Sequence, residues 1–157
     1  VIPAMEGTRL SSPKKSCQSN LRQIGFAFEL YVMAYGNNQF YPDGSGSGKI
    51  VRLFSVTPNS EPKLIERKTM LCPSTKDDNA TTNLTGSRSV FPSACSYASL
   101  GRIAVLASQV NSATTAVASD DTEGTRNHAD GMNVLYGDGH VDWVPNQQML
   151  PTGLVNN

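Results

Sequence analysis

Between residues 13 and 35 the apolar side chains recur at spacings of three and four: Cys17, Leu21, Ile24, Phe28, Tyr31 or Val32, and Tyr35. That spacing puts them in one stripe along a helix of about six turns, with Lys14, Lys15, Gln18, Arg22 and Gln23 on the wet side. Ser12 can cap it with Pro13 at the first helical position, or the helix runs through from Met5 with a kink at Ser11-Ser12-Pro13. Gly36-Asn37-Asn38 ends it. A helix with one apolar stripe must lie on something, and most of the remaining chain reads as strands.

The clearest strand signal is Met132–Val144, two alternating runs joined by Asp138-Gly139. A two-residue type I′ turn there pairs Gly137 with His140, Tyr136 with Val141, Leu135 with Asp142 and Val134 with Trp143. Alternation then places Val134, Tyr136, Val141 and Trp143 on one face, a seat for the helix, with His140 and Asp142 pointing away. Ile50–Thr57, Thr69–Cys72, Ser96–Leu100, Ile103–Val110 and Thr114–Ser119 read as further short strands or packed edges. The expected fold class is α+β: a long N-terminal helix packed on a small antiparallel sheet, closed by a hairpin at 132–144.

Composition bounds the rest. Thirteen Lys and Arg balance thirteen Asp and Glu in 157 residues, so the formal charge is zero and nothing recommends nucleic acid or an anionic membrane surface as a partner. The hydrophobic fraction of 38% supports a core. The longest apolar run, Ile103–Ala107, is far short of a membrane span. Gly44-Ser45-Gly46-Ser47-Gly48 lacks the Lys-Ser/Thr that completes a P-loop and reads as a flexible connection. Asp77–Ser89 reads as a surface excursion, with glycosylation sequons at Asn79 and Asn83.

Three cysteines fit no zinc pattern. One disulfide plus one thiol suits an oxidising compartment, either Cys72–Cys95 across a local loop or Cys17–Cys72 from helix to strand, with three buried free thiols as the third possibility. Both histidines fall near acids. A transition metal would use His128 and His140 with one carboxylate; calcium would use Asp120, Asp121, Glu123 and Asp130, although their spacing is not an EF-hand. Against both stands a structural reading, in which Asp138 and Gly139 shape the turn, His128 makes a hydrogen bond that holds the preceding loop against the hairpin and Asp120-Asp121 ends a strand. No Ser or Cys carries a base and orienter at recognisable spacing, so no catalytic residue is assigned. Trp143, Tyr136, Tyr35, Phe40 and Tyr41 could form a sugar-stacking platform; Trp143 and Tyr136 read better as core, and Phe40-Tyr41 as a pin on the helix end.

Several blocks occur in a telling order: Val1-Ile2-Pro3-Ala4-Met5, Cys17-Gln18-Ser19-Asn20-Leu21-Arg22-Gln23-Ile24-Gly25, Tyr31, Tyr41-Pro42, Cys72-Pro73-Ser74, Ser96-Tyr97, and His128 through Asp138-Gly139-His140-Val141. This order resembles the bacterial type IV pilin-like proteins, in particular type II secretion pseudopilin-like subunits with a prepilin-type cleavage and methylation signal. The resemblance implies that 1–157 is one periplasmic pilin-like domain whose inner-membrane helix lay upstream, Val1–Met5 being the end of that buried segment. It also implies a non-enzymatic structural subunit in the cell envelope, partnered by like subunits through the N-terminal helix and needing no cofactor beyond a calcium ion. The alternative expectation is a secreted or periplasmic ligand- or glycan-binding module, calcium-stabilised.

Overall fold

Helix α1 runs from Ser12 to Ala34 in the computed structural model, whose described residues are 12–54, 63–79, 94–122 and 127–156. Cys17, Leu21, Ile24, Gly25, Ala27 and Phe28 are buried along it, so the stripe that the spacing predicts holds as far as Phe28; Tyr31 and Val32 are half-buried, and Tyr35, past the helix end, is exposed. Its end is shaped by Asn37 and Asn38, both at positive φ, and Tyr41 folds back to stack on Phe28 at 4.9 Å between ring centroids. Val1–Met5 and the question of a longer helix lie outside the described residues.

Under α1 lies a five-stranded antiparallel sheet: β1 (Tyr97–Leu100), β2 (Ala116–Asp120), β3 (Gly131–Tyr136), β4 (Val141–Pro145) and β5 (Leu154–Val155), in the order β4-β3-β2-β1-β5. The chain is α+β. α1 crosses β3 and flanks β2 and β4. A Cβ on Gly25 would sit 3.0 Å from a Leu135 methyl, so glycine there lets the helix close on β3. Every residue of β1 and β2 is buried, so both faces of the sheet centre are covered. Edge strand β4 exposes Asp142 and Pro145, and β5 is two residues long, which leaves little edge open to pairing.

The hairpin exists, but one residue out of the expected register. Leu135 pairs with Val141, Val134 with Asp142 and Asn133 with Trp143. The connection is a three-residue loop, Gly137-Asp138-Gly139, with Tyr136 N–H donating to His140 O at 2.9 Å. Of the three, Gly139 alone has positive φ (+94°), so the turn is not type I′. The cause is tertiary: Gly137 N–H donates to Thr115 O and Asp138 N–H to Ser112 O, which draws both residues out of the ladder. Val141 and Trp143 therefore share the helix face with Leu135 and Asn133, while Val134, Tyr136, His140 and Asp142 share the other. Tyr136 and Trp143 are half-buried rather than core.

Three expected strands are something else. Ser47–Phe54 is helix α2, with Ile50, Val51, Leu53 and Phe54 buried against α1 and β1. Its β-branched pair reads locally as strand; burial of one amphipathic face decides otherwise. Arg67–Met70 is a 3₁₀ turn ahead of an extended Leu71. Of Ile103–Val110, Leu106 makes a single bridge to Phe40 and Ala107–Val110 forms the short helix α3. The Gly44–Gly48 segment is a buried turn opening α2, with Gly46 N–H on Leu100 O (3.0 Å) and Ser47 N–H on Asn156 O (2.8 Å). Those amides are taken by the protein's own carbonyls, which closes the phosphate-cradle possibility. Among the described residues no helix is long and apolar enough to cross a membrane.

Candidate functional site

Where the first turns of α1 pass the end of β2, five chain segments meet in a polar cluster that is buried apart from half-buried Asn20 and exposed Ser74 at its rim. α1 brings Cys17 and Asn20; the stretch after the 3₁₀ turn brings Cys72 and Ser74. β2 ends in Asp120, the following segment supplies Asn127 and His128, and β3 contributes Asn133. Cys17 and Cys72 form a disulfide, Cα atoms 5.4 Å apart, so of the two expected pairings Cys17–Cys72 is made, from α1 to the irregular stretch after the 3₁₀ turn. Cys95 is a buried free thiol, its Sγ donating to Tyr97 O at 3.6 Å, and burial pushes its pKa up. Asn20 Nδ2 donates to Leu71 O (2.9 Å) and the Tyr97 hydroxyl (3.0 Å), fastening α1 to the cysteine-bearing stretch.

Asp120 is 1% exposed. Its carboxylate accepts from Asn133 N–H (2.7 Å), Asn133 Nδ2 (3.1 Å) and Asn127 Nδ2 (3.0 Å). Desolvation outweighs these donors and raises its pKa to about 6. Asn133 also reaches Lys14 O in the first turn of α1 (3.4 Å), and Asn127 donates to Ser96 O (2.6 Å), so the two amides stitch helix, strands and loop together.

His128 stands between the carboxylate and the disulfide. Nε2 is 3.7 Å from Asp120 Oδ2 and 3.7 Å from Cys72 Sγ; Nδ1 is 3.3 Å from Ser74 Oγ; the ring meets Trp143 edge-on at 5.7 Å. Burial first, then the nearby Lys14 ammonium, lowers its pKa, so at neutral pH the imidazole is uncharged and its contact with Asp120 is not an ion pair. The hydrogen bond expected from His128 to the hairpin is not among its contacts: its ring only meets Trp143 edge-on, and its polar contacts go to the cysteine-bearing stretch and the end of β2.

The other candidate ligands are dispersed. His140 is on the surface at the hairpin, stacked on Tyr136 at 4.6 Å, its Nδ1 on Asp138 and its Nε2 3.3 Å from Asp142 Oδ2. Asp138 raises its pKa most. Asp138 also accepts from His140 N–H (3.1 Å) and so serves the turn, as expected. Of the calcium candidates, Asp120 is occupied by asparagine donors, Asp121 is buried, and exposed Asp130 pairs with Lys14. Glu123 lies outside the described residues. Among the described residues, the group of three or more His, Cys and carboxylate side chains close enough to hold an ion is Cys17, Cys72 and His128. Among the described residues neither the paired histidines nor Asp120, Asp121 and Asp130 are gathered within reach of one ion; β3 lies between His128 and His140, and Asp130 is paired with Lys14.

Asn79 is 2% exposed, its amide donating to Arg67 O (3.1 Å) and Ala94 O (3.0 Å), so it is a structural asparagine and not a glycosylation acceptor. Asn83 lies outside the described residues. The aromatic set divides: Tyr35, Phe40 and Tyr41 join Tyr31 and Asp43 around a hollow of about 230 Å³, while Trp143 and Tyr136 belong to the hairpin. One buried group had no sequence signal: Lys49, fully buried on α2, donates to Pro42 O (2.7 Å) and Ile103 O (3.2 Å). Comparison of the chain with known family models, curated proteins and solved structures found no match.

Proposed function

We propose that the chain is the head of a pilin-like structural subunit, of the type II secretion pseudopilin or type IV pilus-like kind, which polymerises through its N-terminal helix. The observation that carries this reading is a second apolar row on α1. Phe26, Leu30 and Met33 are 72%, 44% and 61% exposed, at i, i+4 and i+7, on the side of the helix turned away from Leu21, Ile24 and Phe28. A helix already seated on a sheet needs no second row for its own fold, and three large side chains held in one line in water mark a contact surface. Bundled subunits would cover that row with neighbouring helices while the sheet faces outward. The order of blocks shared with pilin-like proteins supports the same reading. On it, an apolar stem continues α1 into the inner membrane, the head sits in the periplasm or on the cell surface, and no catalytic step is needed.

The test uses the full-length membrane-anchored subunit. Phe26→Ser with Met33→Ser is expected to cut cross-linked oligomers at least tenfold while the circular dichroism of the head stays unchanged. Oligomers at wild-type yield would remove the proposal. The hollow of Tyr31, Tyr35, Phe40 and Asp43 favours one second reading, a carbohydrate-binding module, since aromatic faces beside a carboxylate suit sugar rings. Oligosaccharide-induced shifts in tyrosine resonances, abolished by Tyr35→Ala, would favour it; unperturbed spectra at millimolar sugar would eliminate it.

A further inference from the structure

His128 Nε2 has an unusual pair of neighbours. It faces Cys72 Sγ and Asp120 Oδ2, each at 3.7 Å. A disulfide sulfur and a carboxylate carry no hydrogen, so an Nε2 lone pair finds no donor in either; an Nε2–H is too far from the carboxylate for a hydrogen bond and has only the weakly accepting Cys72 sulfur at 3.7 Å. Yet the nitrogen and both sulfurs lie within 4.8 Å of one another, all three residues buried. Around a tetrahedral zinc ion, bonds of about 2.3 Å to sulfur and 2.1 Å to nitrogen set those atoms about 3.6 Å apart. The spacing that serves a weak N–H···S hydrogen bond in the disulfide state is also the spacing of ligands on one ion.

We infer that two-electron reduction of the Cys17–Cys72 disulfide turns this spot into a site for a thiophilic divalent cation, zinc above all, bound by Cys17 Sγ, Cys72 Sγ and His128 Nε2. The electrons come from a dithiol, which leaves as its own disulfide while the S–S bond here becomes two thiols. Each thiol then releases its proton as its sulfur takes the cation. On zinc the two sulfurs would stand about 3.8 Å apart, so reduction has to let them separate from bonding distance. Ser74 Oγ, 3.3 Å from Nδ1, can accept its proton and so hold the tautomer with a free Nε2 lone pair, the support that metal-bound imidazoles usually have. Asp120, adjacent to the imidazole, adds negative charge that favours a cation. The disulfide and metal states exclude each other, because a thiolate and not a disulfide sulfur is the ligand. Cys95 takes no part; its thiol is engaged with Tyr97 O.

The experiment is cobalt and zinc titration of the chain, oxidised and after phosphine reduction, without oxygen. The reduced chain is expected to take one cobalt per molecule, with the intense visible bands of a tetrahedral site and thiolate-to-cobalt charge transfer, both displaced by zinc; the oxidised chain shows neither. His128→Gln should weaken cobalt binding at least tenfold, and Cys95→Ser should leave it unchanged. Where reduction unfolds the chain, cobalt should restore its circular dichroism. Absence of thiolate charge transfer, undiminished affinity in His128→Gln, dependence on Cys95, or a reduced chain that metal does not refold would each overturn the inference.

Discussion

Gly137 and Gly139, two residues apart in the hairpin loop, differ in what constrains them. A Cβ on Gly137 would lie 1.6 Å from Val110 O, so any side chain must push backbone aside. Gly139 has open space, its nearest atom being Glu29 Oε1 at 3.8 Å, and only its φ of +94° resists substitution. Gly139→Val is therefore expected to cost roughly 1 kcal/mol or slightly more, and Gly137→Ala clearly more than that, in urea unfolding. Equal losses would show that the loop relaxes around Gly137. Asp120 gives a second residue-scale expectation. Its folded pKa of about 6 lies above its unfolded value of 3.8, so its contribution to stability is full below about pH 4 and lost as pH rises through 6. The unfolding free energy of the wild type, from urea titrations, should fall across that window by an amount of order 1–3 kcal/mol, and the Asp120→Asn variant should show a flatter profile. An identical slope in both would place the titration elsewhere. The sequence marks Asp120 as a strand end; it has no local signal for Asn127 and Asn133, whose role depends on two amides meeting one carboxylate across thirteen residues.

Helix α1 is tied at one end by covalent chemistry and at the other by aromatic stacking. The Cys17–Cys72 bond closes a separation of 55 residues, worth about 4 kcal/mol in loop entropy. Reduction in chelator should therefore lower the melting temperature by roughly 8–16 °C for a chain of this size. A change of a degree or two would mean that the unfolded chain already keeps the two segments close. At the far end, Phe28 on Tyr41 pins the loop that follows the helix. The element itself is legible from spacing alone, because helical periodicity is a property of consecutive residues. Helix α2 was not, since Ile50-Val51 favours a strand locally and only docking against α1 and β1 selects the helix.

Across the molecule, the loops at one end of the sheet are gathered by Lys49. Its ammonium satisfies carbonyls of Pro42 and Ile103, and burial lowers its pKa to about 8 from 10.5. Between those values the unfolded chain holds more protons, so this group's contribution is present above 10.5 and lost as pH falls through 8. The difference in stability between wild type and Lys49→Met should grow in favour of the wild type from pH 8 to pH 9, before tyrosines ionise. A pH-independent difference would show that Lys49 is neutral or solvated throughout. Nothing in the sequence distinguishes Lys49 from the exposed lysines, because its burial depends on the preceding loop at Pro42 and on the distant segment at Ile103 folding over it.

The residues alone determine that a long amphipathic helix meets antiparallel strands and that the chain doubles back at Asp138-Gly139. These depend on side-chain period and turn chemistry over a few neighbours. Which cysteine Cys72 joins, where His128 points and how the hairpin registers were decided only by the tertiary structure. The reason is that each depends on contacts between distant segments: Gly137 and Asp138 hydrogen-bonded to Thr115 and Ser112, α1 laid across β3, and His128 set against Cys72. A register differs from its neighbour by one residue, and no local pattern separates two registers that both alternate; the packed partner does.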